Sequence, residues 1–301
     1  MMGGGSISHY KKKHCSPFRK KLSYSCLSYK SLLKISKALN SIDGIQVDYK
    51  GLEDKQLYHE ICNIIQKKFN CRTEACWLSI RKLMNKLSKK DADYFREYFR
   101  PKMPKEIVKD YTEWISNFDI EAVLDQYHKD LSDFYFYGAT PIDFNKCSVS
   151  DLCKIDLGKH MKHGEYKLGI VFNTDESDKP GKHWISMYVD IQGKNLNDQP
   201  GIYYFDSFGS KPVKEIDVLI SKLQDQGKKH DLEFIVSHND KSVQNNSYSC
   251  GFYCMHFMEQ MLKGIPFNKY IRSGLNDKKM IKYQRHCYLH PDETNKLEIK
   301  Y

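Results

Sequence analysis

Four side chains in the second half of the sequence could together run acyl transfer through sulfur. They are His183, Asp206, Gln244 and Cys250, with Gln244 six residues before the cysteine. Each has its own chemical task. A thiolate is the nucleophile, and ordinary Cys is mostly thiol near neutral pH, so it needs a base or a positive field. An imidazole can take the thiol proton and later protonate the leaving amine. A carboxylate behind the imidazole fixes its tautomer and stabilises its charged form. A side-chain amide offers an N–H to the oxyanion of the tetrahedral intermediate. Taken singly, each residue has an ordinary alternative: Cys250 as a small core residue, Asp206 as turn chemistry before Ser207, Gln244 as one more polar loop residue. The set as a whole points to a cysteine hydrolase. Cys254 and Cys287 read as core, and His256 as a residue packed beside the helix, not the base.

The surrounding pattern predicts elements that could bring these groups together. Trp184 to Ile191 alternates and is rich in β-formers, and Gly201 to Asp206 reads as the next strand. The link from Gln192 to Pro200, rich in Gly, Asn, Asp and Pro, reads as a hairpin loop. His183 then stands at the start of one strand and Asp206 at the end of its antiparallel partner, at the same edge of the sheet. Cys250 opens a helical stretch to Leu262 that Lys263, Gly264 and Pro266 close. A thiol at a helix N-terminus feels the positive end of the macrodipole, which favours the thiolate.

At these positions the sequence resembles the SUMO-protease (ubiquitin-like-protein protease) and adenain-type cysteine peptidases. It is most similar to the branch carried by large nucleocytoplasmic DNA viruses, such as African swine fever virus and the poxviruses. The matching pieces are Gly181-Lys182-His183-Trp184, Tyr204-Phe205-Asp206-Ser207, Gln244 with its spacing to Cys250-Gly251, and the stretch Gly169 to Asp175. Their order, His, Asp, Gln, Cys, is the group's order and the reverse of papain's. Phe134 to Phe144 and Cys71 to Trp77 also resemble the viral branch, and the likeness spans roughly residues 70–290. It implies a papain-like/SUMO-protease-type core and a peptidase that needs no cofactor. In that group the Trp after the catalytic His roofs a narrow channel, so Trp184 is expected to bind substrate, with Trp77 as a second wall. Only residues without bulk pass under such a roof, and Gly, lacking Cβ, runs extended there. The implied substrates are Gly-Gly-type sites in viral core or capsid precursors, cut during virion assembly. The implied places are the virion and the host cytoplasm at the viral factory, with a giant virus of amoebae as the source. Two alternatives stay open. One is a deconjugase stripping SUMO or ubiquitin from host proteins. The other is a catalytically silent, basic, nucleic-acid-binding virion scaffold.

The rest of the chain bounds these readings. It has 301 residues and a net charge of +10, room for a protease core and one appendage. The first 42 residues hold nine Lys or Arg and no acid. Residues 1–29 read as a flexible basic tail, and Lys11, Lys12, Lys13, Arg19, Lys20 and Lys21 as possible contacts to nucleic acid through counterion release. Residues 30–135 read as a mostly helical arm. Helical spacing runs from Leu57 to Phe69, from Trp77 to Leu87, from Tyr94 to Phe99 and through Trp114, Ile120 and Tyr127. Residues 136–301 read as the protease core, with strands, helices from Pro212 to Leu223 and from Asp277 to Tyr288, and a strand at Phe234 to Ser237. The predicted fold class is α+β, a short central sheet flanked by helices, with an N-terminal helical arm. Ten cysteines are dispersed without a signal peptide, which predicts free thiols in a reducing compartment. The loose pairs Cys71/Cys76 and Cys147/Cys153 lack matching partners, so no metal site is expected. No run approaches the ~20 apolar residues of a membrane span, and Met2 intervenes before the Gly that a myristoylation site would need.

Overall fold

The computed structural model describes residues 14–20, 22–195 and 198–294. Two compact units divide the chain: Met1–Met103 with Arg285–Tyr301, and Pro104–Gln284. This corrects the expected boundary near residue 135. The helix expected from Ile120 to Tyr127 belongs with the sheet, because it packs on the first strand. The C-terminal segment belongs with the first unit. There Leu289 N–H donates to Pro101 O, Met103 N–H donates to Leu289 O, and the Arg100 guanidinium reaches the carbonyls of Arg285 and His286.

The first unit is helical, with α1 Tyr29–Asn40, α2 Asp54–Phe69, α3 Glu74–Trp77, α4 Arg81–Met84 and α5 Lys89–Arg96. Its core gathers Leu32, Leu57, Ile61, Ile65, Trp77, Leu83 and Phe95. The continuous helix expected from Trp77 to Leu87 is broken in two. Thr73 caps α3 by accepting from Cys76 N–H, and Ser79 turns back to donate to the Cys76 carbonyl. Trp77 is 3% exposed and lies beside Tyr58 in this core. It offers no surface to a peptide, so its assignment as a substrate wall is withdrawn.

The flexible-tail expectation also needs correction for residues 14–29. His14, Cys15, Ser16, Ser25, Cys26 and Leu27 are buried, and Cys15 bridges to Phe99. Arg19 pairs with Glu97 at 3.3 Å and lies over the rings of Tyr94 and Tyr98. It is an anchor of the fold, and Lys20 is exposed. Lys11, Lys12, Lys13 and Lys21 lie outside the described residues.

Six cysteines are paired, against the expectation of free thiols: Cys15–Cys26, Cys71–Cys76 and Cys147–Cys153. Local turns bring each pair to Cα separations of 5.3, 5.7 and 5.3 Å, within disulfide range. Dispersal along a chain says nothing about such turns.

The second unit is built on a five-stranded sheet of β1 Phe134–Pro141, β2 Lys167–Asn173, β3 Trp184–Asp190, β4 Gly201–Phe205 and β5 Ile235–His238, in that spatial order. The two central pairings are antiparallel and the outer two parallel. Its helices are α6 Lys105–Lys109, α7 Asn117–Asp130, α8 Leu157–His163, α9 Lys214–Lys228, α10 Cys250–Leu262, α11 Phe267–Ile271 and α12 Asp277–Cys287, which runs on past the unit's last residue. Alternation along the strands gives each face its own cover. Leu168, Ile170, Ile185, Met187 and Val189 cluster with Ile216, Leu219 and Leu223 of α9. On the other face Phe205 stacks on Phe257 of α10 at 5.2 Å, and Tyr203 meets Phe267 at 5.4 Å. The sheet therefore holds α10, and with it Cys250, against β3. A last short helix, α13 Pro291–Thr294, lies in the first unit's C-terminal segment.

Candidate active site

The pairing of β3 with β4 puts Ser186 opposite Phe205. His183 just before β3 and Asp206 just after β4 therefore meet at one edge of the sheet. The His183 Nε2 lies 2.6 Å from Asp206 Oδ1. With Nε2 committed to the carboxylate, Nδ1 is the ring nitrogen left for the Cys250 sulfur. Burial alone would lower the imidazole pKa. The hydrogen bonds to Asp206 and Cys250, with the negative charge of both, outweigh burial and raise it to about 9. For Asp206 burial works upward. It is overcome by the hydrogen bond to His183 and its charge, then by N–H donors at Phe208 and Ser210, and the carboxyl ends below its ordinary value. An imidazolium held against a carboxylate and a sulfur is the charge state a thiolate nucleophile requires.

Cys250 is the first residue of α10, follows the cap residue Ser249, and is 1% exposed. Gly251 is fixed by packing. A Cβ there would stand 2.6 Å from Ile115 Cδ1 and 3.3 Å from Trp184 Cδ1. Trp184 is buried, and its Nε1–H donates to the Ile115 carbonyl at 3.1 Å. The Trp184 indole is thus locked beside the residue that follows the nucleophile. Gly181 has φ +92°, and a side chain there would strike Asn173, whose Oδ1 accepts the Lys182 N–H. That turn aims His183 into the strand edge.

Gln244 is buried, and both ends of its amide are held. Ser207 Oγ donates to Oε1 at 2.6 Å, and Nε2 donates to the Asn246 carbonyl at 2.8 Å. A primary amide has two N–H bonds, so one remains for a substrate oxygen. The four expected catalytic residues thus come from three places: Asp206 and His183 at the strand edge, Gln244 in the loop after β5, and Cys250 on α10. Trp184 joins them, and Trp77 does not.

Three residues have supporting roles that went unread in the sequence. Asn239, 2% exposed, brackets the Asp206 backbone. Its Oδ1 accepts the Asp206 N–H at 3.0 Å and its Nδ2 donates to the Asp206 carbonyl at 2.6 Å. Ser207 links the acid's turn to Gln244 through its carbonyl, which accepts from Val243 and Gln244 N–H, as well as through its hydroxyl. Phe208 lies against the His183 ring at 4.8 Å. Ser207 was visible only as part of the motif around Asp206, and no signal marked Asn239 or Phe208. His256 sits beside Tyr270 and Tyr283.

Residues 167–299 match the Ulp1 protease family, C-terminal catalytic domain. Over that stretch the chain is similar to Ulp1-type cysteine peptidase domains. A protein of Acanthamoeba polyphaga mimivirus that bears the name of a thiol protease is 35% identical over 166 residues, 55% of this chain and 53% of that protein. The chain thus spans about half the length of this mimivirus relative. A cysteine protease of African swine fever virus is 25% identical over 253 residues, 78% of this chain and 89% of that one. The crystal structure of an African swine fever virus protease shares the fold, with a TM-score of 0.68 at 21% identity, covering 92% of this chain and 96% of that one. Within residues 167–299 lie His183, Asp206, Gln244 and Cys250. Ile115 and Asn117–Asp130 lie before the matched region, although Ile115 holds Trp184. Among the described residues no group of His, Cys, Asp or Glu is placed to hold a metal, and no helix is long and apolar enough to cross a membrane.

Proposed function

We propose that this cysteine peptidase is an endopeptidase that cuts after Gly-Gly-type small-residue sites, and that it matures viral core or capsid precursors during virion assembly. The carrying observation is the chain of contacts from Asp206 through His183 to Cys250 at the head of α10. Cys250 thiolate attacks the carbonyl carbon. The oxyanion is received by the free N–H of Gln244 and the Cys250 backbone N–H, and the loss of one such donor typically costs about 10²–10³ in rate. Imidazolium His183 protonates the departing amine. Water, deprotonated by the now neutral His183, releases the acyl-enzyme, and the thiolate and imidazolium are restored. Asp206 holds the ring throughout. Trp184, pinned by Ile115 beside Gly251, supports the reading of a narrow passage that excludes bulk next to the scissile bond.

The substrate and the virion setting rest on the likeness to virus-borne proteases. A second reading is favoured by the name of an African swine fever virus relative, a SUMO-1 cysteine protease, 25% identical over 253 residues. It keeps the chemistry and makes the substrate a host SUMO or ubiquitin conjugate.

Fluorogenic Gly-Gly-Xaa and Ala-Gly-Xaa peptides, with SUMO- and ubiquitin-derived substrates beside them, separate the two. Turnover of short Gly-Gly peptides, abolished in Cys250→Ala, is the expected result. Turnover only of folded SUMO or ubiquitin substrates would replace precursor processing with deconjugation. Silence on every substrate, with and without added DNA, would favour the scaffold.

A further inference from the structure

We propose that Asp277 is a positioning residue for the oxyanion site, a proposal that rests on the reading of Gln244 as an oxyanion donor. Asp277 is the first residue of α12 and touches none of the four catalytic side chains. Its Oδ2 accepts the backbone N–H groups of Asn245 and Asn246, each at 3.0 Å. Its Oδ1 lies 3.0 Å from the Tyr253 hydroxyl, which also reaches the Val243 carbonyl at 2.7 Å. One carboxylate therefore grips the loop directly after Gln244, and shares the single Tyr253 hydroxyl proton with the Val243 carbonyl just before it.

The grip falls on Asn246, where two functions converge. The Asn246 carbonyl accepts from Gln244 Nε2 at 2.8 Å and so orients the amide. The Asn246 side-chain Oδ1 accepts the N–H groups of Tyr248 and Ser249, at 3.0 and 2.9 Å, and its Nδ2 donates to Ser249 Oγ at 2.9 Å. That turn delivers the chain to Cys250. Fixing Asn246 thus sets the distance between the oxyanion donor on Gln244 and the sulfur. An acceptor-only carboxylate takes both adjacent N–H groups on Oδ2, and an amide of the same shape can keep its oxygen there, losing the charge but not the acceptor. Charge-assisted bonds of this kind are about twice as strong as neutral ones.

Preorganised donors act only where the tetrahedral intermediate forms. Alkylation of the thiolate by iodoacetamide forms no oxyanion. Followed at Cys250 by peptide mass, so that the other three thiols are not counted, it reads the reactivity of that sulfur and separates positioning from general damage. The test measures peptide turnover and the pH profile of iodoacetamide alkylation in wild type, Asp277→Ala, Asp277→Asn, Gln244→Ala and the double variant. Wild-type turnover checks the peptidase and substrate reading first, independently of Asp277. For Asp277→Ala the expected result is a fall in kcat of about 10- to 100-fold with KM little changed, with a smaller fall in Asp277→Asn and an alkylation profile like wild type in both. The double variant should be no slower than Gln244→Ala, since Asp277 acts through Gln244. Full turnover in Asp277→Ala would overturn the proposal. So would alkylation falling in step with turnover in both variants, or an Asp277 effect that persists undiminished in the Gln244→Ala background.

Discussion

Removal of the Asp206 carboxylate tests how the site is poised. His183 sits where burial favours the neutral ring, yet Asp206 and Cys250 raise its pKa to about 9. A hydrogen bond to a charged group contributes about 1.5–3 kcal/mol. At about 1.36 kcal/mol per pKa unit, its loss in Asp206→Ala should lower the imidazole by about 1–2 units from the present value of about 9. His183 must be protonated to expel the amine, so its pKa sets the basic limb of kcat/KM. That limb should move toward neutrality in Asp206→Ala, with a smaller move in Asp206→Asn, which keeps an acceptor for the ring N–H. Stability follows the same pair. The raised His183 contributes fully below its ordinary 6.5 and loses its share as pH rises through about 9. The lowered Asp206 contributes above its ordinary 3.8 and loses its share as pH falls through its folded value. The stability difference between wild type and Asp206→Ala should therefore be greatest between those two ordinary values and shrink on either side. The assays are a pH series of kcat/KM on a peptide substrate and of thermal midpoints. A basic limb unmoved in Asp206→Ala would refute the reasoning, because the carboxylate would then not be what keeps the ring charged.

Other perturbations follow from the packing. Gly251→Ala should drive a methyl into Ile115 and toward Trp184, at a cost of about 1–3 kcal/mol, read as a lower thermal midpoint with slower turnover; a variant as stable and active as wild type would mean the Ile115 contact is loose. Asn239→Ala strips both partners from the Asp206 backbone and should lose about 1–3 kcal/mol together with most turnover, whereas loss of stability with normal kcat would make Asn239 a structural residue alone. Thiol titration of the denatured, unreduced chain should count the four cysteines outside the disulfides, Cys62, Cys250, Cys254 and Cys287, and ten reactive thiols would show that the three pairs do not form.

The catalytic elements were legible because their constraints are local. The nucleophile helix runs from Cys250 to Leu262 as its pattern required, since its cap, apolar run and Gly264 stop all lie in one stretch. The β3–β4 hairpin was readable from alternation on either side of a turn-rich link. Reading failed where distant or irregular contacts decide. Trp77 has the helical spacing of a core residue and the type of a substrate platform; its burial beside Tyr58 settles for the core. Residues 14–29 look like a solvated tail by composition, yet the bridge to Phe99 and the Arg19 contacts hold them. The boundary after Met103 was hidden because α7 is helical like the arm but covers the sheet.

A chemical group announces itself by type, but the residue that aims it does not. Cys, His, Asp and Gln in one order suggest a reaction because few other jobs need that set. Asn239, Ser207 and Asp277 are drawn from the residues every polar loop contains, and all three work on backbone atoms. Backbone N–H and C=O groups are the same at every position, so a sequence holds no complementary partner to look for. Yet the geometry of the site depends on them. Asn239 clamps the turn that carries Asp206, and Asp277 grips the loop that follows Gln244. A chain with the same four catalytic residues but a different loop after β5 would carry the same chemical signature and place Gln244 elsewhere. The recognisable set names a chemistry, and the anonymous polar residues around it hold the backbone that carries it.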